Sequence, residues 1–214
     1  MSNPPPKPAA GPPEKISTEE RILRAAKDVF MRKGYAGTRM QEVADAAGIN
    51  KAMLHYYFRS KEKLFRVILT EATSIIAPML ARAVSSDKNV LDKIEDLVRG
   101  YVAILRERPY LPLFVVHELS QNQGAFMRET LQRDTQQPAM LGFIQQVIAE
   151  GEAGTIRRVN PLTLVMNTMS MVVFPFVARP MIEVMTDTQG MTFDDLMADR
   201  ADEVVDFIHR SLQP

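Results

Sequence analysis

Six side chains suited to holding nucleic acid fall within eleven consecutive positions: Lys51, His55, Tyr56, Tyr57, Arg59 and Lys61. Ammonium and guanidinium groups bind phosphate oxygens through charge and hydrogen bonds, and phenol and imidazole groups reach phosphates or base edges. No comparable chemistry gathers elsewhere. The three histidines, His55, His117 and His209, stand in separate segments without metal-ligand spacing. Cysteine is absent, so neither a thiolate metal site nor a disulfide framework is available. The chain has no Gly-rich phosphate loop and no nucleophile elbow. Asp194, Asp195 and the acidic residues from Asp199 to Asp206 read as a solvated helix face. The expectation is a binding protein with no catalytic centre, metal or cofactor.

The basic, aromatic run needs a scaffold, and Thr38 to Phe58 supplies one. Thr38-Arg39-Met40-Gln41 has the spacing of a capping box, so a helix is expected to start there. Val43, Ala44 and Ala47 form its apolar side. Gly48 follows, where a residue with positive φ ends a helix at little cost. Asn50 is a good N-cap for a second helix from Lys51 to about Phe58. Small Ala44 lets the two helices approach, and Ile49 and Leu54 supply buried contacts. An angled helix pair with a Gly-containing turn is the helix-turn-helix signature. Ser17-Thr18-Glu19-Glu20 is another capping box, opening a helix to about Lys33 with Ile22, Ala26, Val29 and Phe30 on one face. Gly34 stops it, and the three helices make a compact head.

Residues 17 to 65 resemble the DNA-binding head of the tetracycline-repressor (TetR) family of bacterial transcription regulators. The resemblance rests on A-G-I-N-K-A-M-L-H-Y-Y-F-R-S-K-E-K-L-F, preceded by G-Y-A-G-T. The family commonly shows A-G-V-S-x-G-x-L-Y-x-(Y/H)-F-x-(S/N)-K-E-x-L. This chain departs from it with Asn50 for Ser, Ala52 for Gly and His55 for Tyr. Asn caps as well as Ser. Ala52 and His55 stand where the family approaches bases, which bears on the operator preferred. The resemblance implies that Lys51, Ala52 and His55 lie at base edges and that Tyr56, Tyr57 and Lys61 hold phosphates. Thr38 and Arg39, at the start of the preceding helix, complete the candidate DNA-binding set.

Residues 1 to 14 carry six prolines and little that could form a core. They read as a disordered Pro-rich tail, partly polyproline-II. The tail lacks the apolar stretch of a secretory signal, and a cytoplasmic protein is expected. The divisions expected are this tail, a DNA-binding domain over 15–62 and a helical ligand-binding and dimerisation domain over 63–214.

The second domain reads as helices throughout, so the fold class is all-α. Ser60 caps a long helix that Pro78 kinks or ends. Asn89 to Arg108 is amphipathic. Tyr110 to about Gln121 is short and apolar, with His117 and Glu118. Gly124 to about Glu152 is long, with a break or kink at Pro138. Asn160-Pro161 starts a segment to about Ile182 that is apolar nearly all round. It is short for a membrane span and interrupted by Asn167, Thr168, Ser170 and Pro175, so no membrane is invoked. Phe193 to Leu212 is a last amphipathic helix. The resemblance implies a homodimer through segments 160–182 and 193–212, and Val172 and Val205 are expected on their outward faces.

Formal charge sums to zero but is unevenly placed. Glu14 to Arg66 holds 12 Lys/Arg against 7 Asp/Glu, and Val67 to Pro214 holds 13 against 19. A basic head on an acidic body favours an anionic partner at one end. Ten of the 14 methionines lie in the body, and Met suits surfaces that accept varied apolar ligands. A largely apolar pocket is expected from Tyr110, Phe114, His117, Met140, Phe143, Met166, Met169 and Phe174, with His117 as its polar anchor. The reading is a DNA-binding regulator, with repression from a palindromic operator and release by a small apolar or amphipathic effector implied by the resemblance. Two alternatives stand beside it: a ligand-independent architectural DNA-binding protein and an α-helical enzyme.

Overall fold

The structure, a computed structural model, describes residues 16–121 and 137–214. The Pro-rich tail expected over 1–14 lies outside the described residues, as do the first part of the helix expected from Gly124 and the side chain of Glu118. Every regular element among the described residues is a helix. In order these are α1 (Thr18–Gly37), α2 (Met40–Ala46), α3 (Lys51–Tyr57), α4 (Lys61–Ser85), α5 (Val90–Glu107) and α6 (Leu111–Gln121). They continue with α7 (Gln137–Ala153), α8 (Pro161–Val177), α9 (Arg179–Asp187), α10 (Phe193–Ala198) and α11 (Arg200–Leu212). The chain forms two compact units, the first ending at Leu64 and the second starting at Phe65.

In the first unit, α1 begins with the expected capping box. The Glu20 N–H donates to Ser17 Oγ at 3.1 Å, and the Ser17 N–H donates to the Glu20 carboxylate at 3.3 Å. Ile22, Ala26, Val29 and Phe30 are buried, as their helical spacing requires. Gly34 breaks the helix with φ 66 and ψ 174, a backbone state that side chains with a Cβ rarely adopt.

The start of α2 corrects the sequence reading by one residue. Thr38 does not cap it. Thr38 is the C-cap of α1, buried, with its hydroxyl donating to the Gly34 carbonyl at 2.7 Å. Arg39 is the N-cap residue of α2, and Glu42 reaches back to accept from the Arg39 N–H at 3.2 Å. Gln41 instead donates to Asp45 at 2.8 Å. The local sequence offered two overlapping frames, T-x-x-Q and R-x-x-E. The second prevails because Thr38 is taken by the end of the preceding helix.

In the second unit, α4 runs through Pro78 as far as Ser85, so that proline does not end it. The N-terminus of α5 is held twice. The Asn89 side chain accepts from the Asp92 N–H at 2.9 Å, and Glu150 of α7 accepts from the Val90 N–H at 3.1 Å. A carboxylate there meets the positive end of the helix dipole. Buried Lys93 donates to Gln146 at 2.6 Å, and Gln146 donates to Glu150 at 2.7 Å, so a polar seam joins α5 to α7. Around it Val90, Ile94, Val98, Val147, Leu164, Val172, Phe176, Val204, Val205, Ile208 and Leu212 form one apolar core.

The segment expected as one helix from 160 to 182 is two, α8 and α9, bent by 70°. Asn160 caps α8, accepting from the N–H groups of Leu162 and Thr163. Pro175, inside α8, lacks an N–H group, so the carbonyl of Met171 loses its helical donor. Arg200 fills the gap: its Nη2 donates to the Met171 carbonyl at 3.0 Å. Leaving that carbonyl unpaired would cost about 1–3 kcal/mol where it is shielded from water. Val172 and Val205 are buried in the chain's own core, which corrects their outward placement. The large apolar side chains facing outward are instead Leu162, Met166 and Phe174 on α8, Met181, Val184 and Met185 on α9, and Phe207 on α11.

Candidate nucleic-acid interface

The geometry of α3 follows from three local anchors. Asn50 accepts from the Met53 N–H at 2.8 Å, fixing the first turn. Leu54 is fully buried and roots the helix, and Phe58, the C-cap residue, is buried beyond the last turn. Gly48 takes φ 65 in the turn from α2. The Arg21 Nη2 group reaches from α1 to the Ala47 carbonyl at 2.9 Å, placing a cation at the negative end of α2. Sequence reading did not single out Arg21, whose partner lies 26 residues away.

With only Leu54 turned inward, Lys51, Ala52, Met53, His55, Tyr56 and Tyr57 are all exposed. Tyr56 is 84% exposed, and its ring meets the Tyr57 ring edge-on at 5.6 Å. Large aromatic side chains left in water on a rooted helix are poised to stack or donate to a partner. His55 Nδ1 lies 3.2 Å from the Arg59 carbonyl oxygen. A carbonyl only accepts, so Nδ1 is the donor in this contact and Nε2 is the ring nitrogen left for a partner. Arg39 is exposed at the start of α2.

Two members of the candidate set are placed otherwise than expected. Thr38 is buried and its hydroxyl is committed to Gly34. Lys61 donates to the carbonyls of Tyr35 at 2.8 Å and Thr38 at 3.0 Å, and its ammonium lies 4.4 Å from the centre of the Tyr35 ring. It therefore ties the end of α1 to the start of α4. Burial, helped by the charge of Glu62, raises the Tyr35 phenol above its usual range. Across the α1–α2 contact, Lys33 donates to Glu42 at 2.6 Å. That hydrogen bond, with the one from the Arg39 backbone, holds the Glu42 carboxyl below its usual range.

The eight residues expected to line a pocket in the second unit separate into groups. Phe114 is buried and stacks on Phe65 at 4.7 Å, with Tyr110 edge-on at 5.9 Å. His117 meets Phe65 edge-on at 5.0 Å. Phe143 is buried in the core, while Met140 and Met166 are exposed. Met169 and Phe174 line an apolar groove of about 620 Å³ with Val116, Ser170, Met171, Val173, Pro175, Val177 and Arg200. Arg200 was not anticipated as a groove residue. Its only sequence signal is a proline 25 positions earlier that frees the carbonyl it binds.

An exposed, basic and aromatic second helix, rooted by one leucine and set by a glycine turn, defines a helix-turn-helix head. Residues 22–68 match the family of bacterial regulatory proteins described as the tetR family. The match covers the helix-turn-helix head and the start of α4. It is 36% identical over 92 residues to the HTH-type transcriptional regulator RutR of Escherichia coli strain K12, covering 42% of each chain. The aligned part thus spans about two fifths of that relative's length. The fold is similar to that of PfmR, a TetR family transcriptional regulator from Thermus thermophilus. The TM-score is 0.66 at 19% identity, over 92% of this chain and 98% of that one. It is also similar to AibR solved in complex with isovaleryl coenzyme A and operator DNA. There the TM-score is 0.54 at 21% identity, over 75% and 86% of the two chains.

Proposed function

We propose that this protein is a cytoplasmic, homodimeric transcriptional repressor that binds a palindromic DNA operator and leaves it when a small apolar or amphipathic effector occupies the second unit. One observation carries the DNA part: every residue of α3 except Leu54 is exposed, and this surface is basic and aromatic. Lys51 and His55 are assigned to base edges, with Ala52 leaving room for close approach. Arg39, Tyr56, Tyr57 and Lys61 are assigned to phosphates. A homodimer places two α3 helices on half-sites one helical turn apart or a multiple of it. Its interface is assigned to Leu162 and Met166 on α8, the outward apolar side chains of α9 and Phe207 on α11, an area that a lone chain rarely leaves in water.

The ligand part is supported by the groove beside α8 and by AibR, whose structure holds both isovaleryl coenzyme A and operator DNA. Release requires that the effector prefer a conformation in which the two α3 helices no longer match the operator, and it shifts affinity only by its differential binding to the two states. Among the described residues α4 is the one helix with residues in both units, and it is the segment assigned to carry that change.

Selection of bound sequences from a random duplex pool tests the reading. The expected product is an inverted repeat, bound with a steep salt dependence. Enrichment of no sequence over any other would favour an architectural DNA-binding protein instead.

A further inference from the structure

We propose that the groove beside α8 takes a small molecule with an acidic head and an apolar tail, the head being received by Arg200. The inference rests on the ligand reading only for what binding does to DNA affinity. Among the described residues Arg200 is the sole charged one lining an otherwise almost wholly apolar groove. Its guanidinium is fixed in place: Nη2 holds the Met171 carbonyl that Pro175 frees. Nη1 makes only a long contact of 3.4 Å to Glu203, one turn away on the same helix and largely exposed. Nε is buried and has no hydrogen-bond partner.

A buried, unpartnered donor on a cation is an unfavourable state that an anionic acceptor relieves. A carboxylate head would accept one charge-assisted hydrogen bond from Nε, because Nη2, the other donor on that edge, already holds the Met171 carbonyl. Neutral ligands would bury the same apolar area against Met169, Val173 and Phe174 yet leave Nε unpaired. Cationic ligands would meet like charge. The groove volume of about 620 Å³ suits one small molecule.

The test uses the full chain and three probes of equal tail length: octanoate, octanol and octylamine. Calorimetry should show octanoate binding about tenfold or more tighter than the other two, the worth of a charge-assisted hydrogen bond. Octanoate should shift the methyl resonances of Met169 and Met171. Arg200→Gln and Arg200→Lys should each reduce octanoate affinity about tenfold and leave octanol affinity unchanged, since neither side chain retains an Nε edge. Equal affinities for octanoate and octanol in the wild-type chain would overturn the proposal whether or not the variants fold. So would octanoate affinity insensitive to Arg200→Lys, or silent Met169 and Met171 methyls, the result expected if a second copy fills the groove. Octanoate that binds the groove but leaves operator affinity unchanged would keep this assignment and overturn effector release. Failure of octanoate to bind, with operator recognition intact, would overturn only this assignment.

Discussion

The Lys61 ammonium lies 2.8 Å from the Tyr35 carbonyl oxygen and 4.4 Å from the centre of the Tyr35 ring. The same group reaches the Thr38 carbonyl at 3.0 Å. A cation here gathers two carbonyls near the interrupted end of α1 and adds a cation–π contact. One ammonium has three donors, so one remains for a further acceptor.

Lys61→Ala is therefore expected to act in two ways. Losing its contacts should lower the stability of the first unit by on the order of 1 kcal/mol. Losing a phosphate contact should weaken every operator sequence alike and flatten the salt dependence by about one unit of slope. Denaturant unfolding and salt titrations separate the two. An unchanged salt slope beside reduced stability would assign Lys61 to the helix ends alone.

His55 makes a directional prediction. With Nδ1 donating to the Arg59 carbonyl, Nε2 is the ring nitrogen left to meet a base edge in the major groove. His55→Ala should flatten preference at one operator position, by roughly 1–3 kcal/mol for the lost base contact. Measured on a panel of single-base operator variants, a uniform loss across the panel would place His55 on a phosphate instead.

Charged substitutions on α8 and α11 should divide by face. Met166→Glu and Phe207→Glu alter side chains 66% and 63% exposed in the single chain, and should yield folded monomers with weak operator binding. Val172→Glu and Val205→Glu bury a carboxylate in the core and should unfold the protein, at a cost of several kcal/mol. Sedimentation together with thermal unfolding distinguishes the outcomes. Dimers from Met166→Glu and Phe207→Glu would remove this surface from the interface.

Tyr101 gives a pH dependence at the alkaline end. Burial pushes its phenol up to about 12. The unfolded chain ionises this group near 10 while the folded chain keeps it protonated, so the unfolded state binds fewer protons between those values. Stability should then fall with rising pH by up to about 1.4 kcal/mol per unit from this group. Tyr101→Phe should lose less stability than the wild type over the same interval. Parallel curves for the two proteins would remove Tyr101 as the cause.

Helix starts were the most legible feature. Ser17, Asn50, Ser60, Asn89 and Asn160 each cap by accepting an N–H two or three residues ahead, a relation the sequence displays directly. Thr38 misled because its environment is set by Gly34 and Lys61 rather than by the residues after it. The exposed face of α3 was readable because Lys51 to Lys61 is contiguous and only Leu54 and Phe58 in it are buried. The groove was not. α8 is apolar on all sides, so periodicity cannot say that Val172 faces in and Phe174 out. Arg200 depends on a carbonyl 29 residues away that only a proline releases. The bend between α8 and α9 falls at Ala178, just before Pro180 in the first turn of α9, and side-chain pattern does not mark it.

α3 has only seven residues, two turns, far short of what a helix needs to persist alone in water. Its shape is lent by the socket that holds Leu54 and by the cap at Asn50. It cannot fray independently without exposing that leucine, so its central amides should exchange hydrogen at the rate set by opening of the whole head. The surface proposed to meet DNA is then as durable as the three-helix unit beneath it, and a core substitution such as Ile22→Ala should weaken operator binding without touching a single outward residue.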